Sequence, residues 1–145
     1  MAMERRVLFL CTGNYYRSRF AEAVFNHEAI LRGLPWRAFS RGLAVHLVDG
    51  AISPHTEAAL QNRKIDRTHT APGRQQVADD DLRDAHLTIA VKKSEHLPLM
   101  EELHPQWSDK ITYWDIHDLD FATPADSLPI LEARVKALVE ELAKE

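Results

Sequence analysis

The sequence predicts one α/β domain over residues 1–145, built on a mostly parallel sheet. Three observations predict it. Short apolar, β-prone runs alternate along the chain with stretches of helical periodicity, the order that places a helix between neighbouring parallel strands. The first run breaks at a Gly-Asn pair and passes directly into a helix. The 145 residues suffice to bury one core without disulfides or metal, and no repeat, linker or low-complexity segment divides them.

Each element has its own signature. Residues 7–10, VLFL, are continuously apolar, as expected of a strand buried on both faces. From Ser18 the pattern turns helical, with Phe20, Val24 and Leu31 near helical spacing and Gly33 as the stop. Residues 36–40 form a second short strand. Ser53 and Pro54 read as the N-cap and first residue of a helix reaching about Arg63. Pro72-Gly73 is a turn, and residues 75–85 read as a helix or helical turn carrying the solvated acidic stretch 79–81. Residues 87–91, LTIAV, are the third strand, 94–104 a helix capped by Ser94, and 111–114, ITYW, the fourth strand. Residues 115–126 lack periodicity and read as a loop. In the last helix Leu128, Leu131, Val135, Leu138 and Leu142 recur in steps of three and four, a stripe that faces a core.

Composition excludes several classes. The net charge of −4 argues against a nucleic-acid binder, which needs a broad basic footprint. The single cysteine forbids an internal disulfide and fits a reducing compartment. The apolar run after the charged N-terminal residues is too short for a signal sequence or a membrane span. A cytoplasmic protein without membrane partner is expected. None of the eight histidines forms a helical pair with a third ligand, so neither a metal nor another cofactor is expected. His55 and His86 read as structural or exposed, and Trp107 as packing.

In parallel α/β sheets ligands bind beyond the carboxyl ends of the strands, which directs attention to residues 11–18, CTGNYYRS. A strand delivers Cys11, a tight loop follows, and a helix begins near Arg17. Successive backbone N–H groups in such a loop make a concave nest for an anion, and the helix N-terminus adds partial positive charge. Thr12, Gly13, Asn14, Tyr15, Tyr16, Arg17 and Ser18 are therefore the candidate phosphate-binding residues. Gly13 and Asn14 suit the left-handed backbone that a nest requires, and the planar Arg17 guanidinium can bind two oxygens at once. Thiols at a helix N-terminus beside an arginine ionise at roughly 3.5–7.5 instead of ~8.5. Cys11 is thus the candidate nucleophile, with Ser18 as a donor to its thiolate. Tyr15 can wall a pocket for an aryl leaving group.

Residues 7–22, VLFLCTGNYYRSRFAE, resemble the opening of the low-molecular-weight protein tyrosine phosphatases and the related arsenate reductases, which carry C-x-G-N-x-C-R-S between first strand and helix. Ser40-Arg41-Gly42 resembles the family's Ser-Ala-Gly, His69 with Arg74-Gln75 its His…Arg-Gln segment, and residues 114–118, WDIHD, its acid loop. The resemblance implies a single three-layer domain with a four-stranded parallel sheet flanked by helices and the phosphate-binding loop after the first strand. It implies hydrolysis of phosphate monoesters, of protein phosphotyrosine above all, through a cysteinyl-phosphate on Cys11. Arg17 would bind the phosphoryl oxygens, Asn14 would shape the loop with support from Ser40 and His69, and His46 would join Tyr15 as a substrate wall. The partners would be phosphorylated proteins or small phosphate esters. Two departures stand out: Tyr16 occupies the place of a second cysteine, and Leu119 that of the proline after the acid. Residues 91–93, VKK, also lack the family's Met-Asp.

A leaving alkoxide or phenoxide needs a proton, which a carboxylic acid can supply. The loop after the fourth strand offers Asp115, Asp118 and Asp120, and alignment on Trp114 favours Asp118. Two other functions share this loop chemistry. One is arsenate reduction with an external thiol, since the chain has no further cysteine to release the product. The other is a weakly catalytic phosphoprotein-binding domain, if Tyr15 and Tyr16 obstruct the pocket.

Overall fold

Four parallel strands make the sheet of the computed structural model, which describes residues 4–145; the first three residues of the charged N-terminal stretch lie outside the described residues. The strands are β1 (Arg5–Cys11), β2 (Trp36–Gly42), β3 (Leu87–Ala90) and β4 (Thr112–Tyr113), in the order β2-β1-β3-β4. The helices are α1 (Arg17–Leu31), α2 (Pro54–Asn62), α3 (Asp79–Asp84), α4 (Lys93–Leu103) and α5 (Pro124–Ala143). β1 pairs with β2 from Arg5↔Trp36 to Cys11↔Gly42, and with β3 from Val7↔Leu87 to Leu10↔Ala90.

Residue alternation along β1 builds the three layers. Val7 and Phe9 point into a core with Phe20, Val24 and Phe25 of α1 and the α5 stripe. Leu8 and Leu10 point the other way, against Leu82 of α3 and Met100 of α4. Both faces are covered, so the run is apolar without interruption. The α5 residues Leu128, Leu131, Val135, Leu138 and Leu142 are all buried, each stabilising the fold by about 1.5–3 kcal/mol. Ser53 caps α2, its Oγ accepting from the His55 N–H at 3.2 Å with Pro54 as the first helical residue. Gly33 ends α1 in the left-handed region at φ 67°, which a glycine enters without steric cost.

Several boundaries differ from expectation. β2 runs on to Gly42, where Gln76 bridges to it, so only Asp79–Asp84 of the expected 75–85 helix is helical. Asp79, Asp80 and Asp81 form its first turn, where negative charge meets unpaired N–H groups. α4 begins at Lys93 with Lys92 as its N-cap residue, placing Ser94 inside the first turn. β4 is only two residues long. The loop after it ends at Thr123, because Pro124 already belongs to α5. No helix among the described residues is long and apolar enough to cross a membrane. The carboxyl ends of β1, β2 and β3 converge on the segment after Cys11.

Candidate active site

Cys11 is the last residue of β1 and is buried. The chain then turns through residues 12–16 into α1. Asn14 sits at φ 51°, a left-handed conformation that asparagine tolerates better than most residues. Its side chain is fully employed beneath the loop: Nδ2 donates to Ser18 Oγ at 3.0 Å and Ser40 Oγ at 2.9 Å, and Oδ1 accepts from the Gln75 N–H at 2.9 Å. Outside the loop, Leu43 and Ala44 donate to the carbonyls of Cys11 and Thr12, Ser53 to that of Tyr15, and Thr56 Oγ1 to that of Tyr16. The loop's carbonyls are thus engaged by segments outside it. Among the described residues none of the N–H groups of residues 13–17 donates to a backbone carbonyl. Ser18 Oγ lies 2.9 Å from Cys11 Sγ.

The Arg17 guanidinium is 2% exposed and clamped on one edge. Nη2 donates to Glu95 Oε2 at 2.7 Å and Nη1 to the Ile116 carbonyl at 3.0 Å. Its Nε is buried with no partner among the described residues. Such an orphaned cationic donor is costly unless a ligand accepts from it. Burial lowers the pKa of Arg17, but the charges of Cys11, Glu95 and Asp118 outweigh that and hold it above its usual value. Glu95, in the first turn of α4, is the centre of a cluster. Thr12 Oγ1 donates to it in a short hydrogen bond, and His96 Nε2 lies 3.0 Å from it and 3.1 Å from Thr12 Oγ1. The Lys92 N–H donates to His96 Nδ1 at 3.1 Å, so the proton of the neutral ring is on Nε2. Burial pushes His96 down, more than Glu95 raises it. Burial pushes Glu95 up, but hydrogen bonds from His96 and Arg17 and the charge of Arg17 outweigh it and hold the carboxyl well below the usual carboxylate range.

A cavity of about 450 Å³ opens above Cys11, lined by loop residues with Leu47, Val48, Asp118, Leu119 and Asp120. Asp118 Oδ2 stands 3.4 Å from Arg17 Nη2. Asp120 lines the same cavity, whereas Asp115 is exposed and opens on a separate cleft with Lys93, Leu97 and Arg134. Tyr15 forms one wall, its ring close against Gly50. The expected second wall is not His46, which is exposed in a one-turn 3-10 segment (Val45–Leu47) and does not line the cavity. The turn instead presents its neighbours Leu47 and Val48.

A buried cysteine, an arginine with an unpartnered donor and an aspartate thus meet at one cavity. The model of the low molecular weight phosphotyrosine protein phosphatase family matches residues 6–145. The chain belongs to that family. It is a cysteine-dependent phosphatase with one cysteine, Cys11. Its fold is shared with YfkJ from Bacillus subtilis, at 22% identity over 99% of this chain and 97% of that one, TM-score 0.86. A low molecular weight protein tyrosine phosphatase from T. tengcongensis is 25% identical over 97% of this chain and 99% of that one, TM-score 0.76. The YwlE arginine phosphatase from Geobacillus stearothermophilus is also 25% identical, over 97% and 94%, TM-score 0.76. No curated protein sequence matches the chain.

Within this phosphatase the support under the loop differs from expectation at one residue. His69 does not reach Asn14: its carbonyl accepts from Asn26 at 2.9 Å, and its ring stacks edge-on against His27. The neighbouring Thr70 carries the connection, donating to buried Glu22 at 2.6 Å, which also accepts from Ser40 at 2.7 Å. Burial raises the Glu22 pKa despite those donors. Arg19, fully buried, donates to Thr70 Oγ1 at 2.7 Å and the Ala51 carbonyl at 2.7 Å. Tyr16 packs its ring in the core beside Cys11, with its hydroxyl buried and without a partner among the described residues. Burial first, and Asp118 second, push that hydroxyl up to about 12. Glu95, His96, Glu22 and Thr70 were not foreseen from sequence. The available signal for Glu95 was its place: an acid in the first turn after a parallel strand sits at the carboxyl edge where a loop arginine must find a counter-ion.

Proposed function

We propose that this phosphatase hydrolyses protein phosphotyrosine, in the cytoplasm, by a two-step mechanism on Cys11. The observation that carries the reading is the set of donors without protein acceptors in residues that line one cavity: the N–H groups of the loop and the buried Nε of Arg17. A phosphoryl dianion accepts from all of them, and the fixed donors stabilise the charge of the transition state. The Cys11 thiolate, accepting a hydrogen bond from Ser18, attacks phosphorus. The bond from phosphorus to the leaving oxygen breaks as Asp118 gives that oxygen its proton. Water then attacks the cysteinyl-phosphate, returns a proton to Asp118, and releases phosphate and the thiolate. The 3.4 Å approach of Asp118 to Arg17 and the outward position of Asp115 support Asp118 as the acid. Tyr15, Leu47 and Leu119 offer apolar walls to a phenol ring.

The test combines two variants. Cys11→Ser abolishes turnover while phosphate still binds. Asp118→Asn slows turnover by ~10²–10⁴-fold for poor leaving groups, and far less for p-nitrophenyl phosphate, whose phenol leaves unaided. If Asp118→Asn matches wild type on every ester while Asp115→Asn or Asp120→Asn shows the graded loss, the acid is misassigned; if Cys11→Ser retains turnover, the mechanism fails. A second reading, phosphoarginine as substrate, is favoured by two features. One is the 25% identity to an arginine phosphatase; the other is that Asp118 and Asp120 both line the cavity, where a guanidinium fits. Paired phosphotyrosine and phosphoarginine peptides of one sequence decide between them by their kcat/KM ratio.

A further inference from the structure

We propose that Lys92 and Phe121 form a latch that positions Asp118. The inference rests on Asp118 being the acid, as argued above. Lys92 follows β3 and is 5% exposed, yet its Nζ lies 3.9 Å from the centroid of the Phe121 ring, a cation–π contact on a side chain largely withdrawn from water, where such contacts are strongest. Phe121 is 70% exposed, so the ring is not held there by a core. It rests on Lys92 beneath and tilts against His117 at 5.8 Å.

The backbone that carries the ring is tied to that of the acid. The N–H of Phe121 donates to the Asp118 carbonyl at 3.0 Å, and that of Ala122 donates to the same oxygen at 3.1 Å. Asp118 also caps its own turn, Oδ1 accepting from the Leu119 N–H at 2.8 Å. Fixing Phe121 therefore fixes the tight turn that carries Asp118. The other end of the loop is stapled to the same strand end: the Ile116 N–H donates to the Val91 carbonyl at 2.7 Å, and Lys92 bridges to Asp115. Lys92 thus holds the acid loop at both ends, by backbone before the acid and by side chain after it. Its own position is set by the N–H bond to His96, in the cluster that holds Arg17. The residue after the acid is Leu119, which leaves the turn free to open about φ, whereas a proline there would lock it. The latch supplies the constraint that Leu119 does not.

Lys92 and Phe121 are positioning residues, and the test reads position apart from mere folding. Phe121→Ala and Lys92→Met are assayed on phosphate esters graded by leaving-group pKa, beside wild type, Asp118→Asn, Phe121→Trp and Lys92→Arg. Both latch-breaking variants lower kcat about 5- to 10-fold on the poorest leaving groups. They stay within about twofold of wild type on p-nitrophenyl phosphate, with KM within about twofold. Phe121→Trp and Lys92→Arg, which keep a π face and a cation, restore the lost rate. Independently of turnover, amide hydrogen exchange across residues 117–122 is about 5- to 10-fold faster in the breaking variants. An equal loss on all esters, no loss, or unchanged exchange overturns the latch. If Lys92→Met does not fold, the exposed Phe121→Ala decides. Should wild type turn over no ester, the phosphatase mechanism falls, while the exchange measurement still judges the latch.

Discussion

Tyr16 shows how much one side chain can change at a site. It stands where the related phosphatases carry a second cysteine, and its hydroxyl is buried without a partner among the described residues. Burying such a group without a hydrogen bond costs about 1–3 kcal/mol. Tyr16→Phe, which removes only that oxygen, is expected to stabilise the protein by roughly 1 kcal/mol, raising Tm by about 2–8 °C; a lower Tm in calorimetry would mean that the hydroxyl has a stabilising partner. The cost to the protein also has a chemical side. Because Cys11 is the only cysteine, peroxide converts it to a sulfenic acid that no thiol of the chain can resolve. Prolonged peroxide is expected to yield sulfinic and sulfonic Cys11, seen by mass spectrometry as activity that dithiothreitol does not restore. Full recovery of activity under those conditions would contradict this.

Elements hold the site by pressing on it. At the end of β2, a Cβ on Gly42 would come within 2.5 Å of Val45 Cγ1 and 2.9 Å of both the Asn14 nitrogen and the Thr12 carbonyl oxygen. The last two are backbone atoms of the phosphate loop and cannot swing aside. Gly42→Ala is expected to destabilise by about 1–3 kcal/mol and to weaken phosphate binding, measured by calorimetric titration, more than it lowers Tm would suggest. The N-terminal turn of α4 acts through charge. Glu95 has a folded-state pKa below its unfolded one, so its stabilisation is fully present above the unfolded value and is lost only as pH falls through the lower, folded value. Glu95→Gln, which leaves buried Arg17 with one charged partner fewer, should cost roughly 1–3 kcal/mol at pH 7. The Tm gap to wild type should persist below pH 4 and close only in stronger acid. A gap that closes above pH 5 would show that Glu95 is not held as an anion by Arg17.

At the scale of the whole molecule, what the sequence disclosed and what it hid divide along physical lines. Apolar continuity and periodicity are local, so β1, α1, α2 and the α5 stripe were legible, as was the loop that one strand end and one helix start define. Side-chain partners brought from distant segments were not. Glu95 meets Arg17 because parallel strands align their carboxyl ends, and Thr70 meets Glu22 because the 3-10 segment Arg67–His69 packs against α1. His46 and His69 each lie one position from the residue that makes the contact: Leu47 lines the cavity and Thr70 bonds to Glu22, since a turn or a 3-10 segment rotates neighbours to opposite sides. The short strand β4 and the late start of α3 follow from tertiary pairing that no local propensity encodes. That same parallel pairing governs how the site comes into being. β1 joins Val7 to Leu87 across most of the chain, and contacts of such long sequence separation form slowly. The loop at residues 11–18 therefore waits for a segment about a hundred residues downstream: Arg17 has no acceptor at Ile116 until that residue has emerged and docked. A nascent or truncated chain ending before that point carries Cys11 and the whole 11–18 motif, yet lacks the carbonyl that holds Arg17 in place. Arrival of Ile116, more than exposure of the motif, is what completes the site.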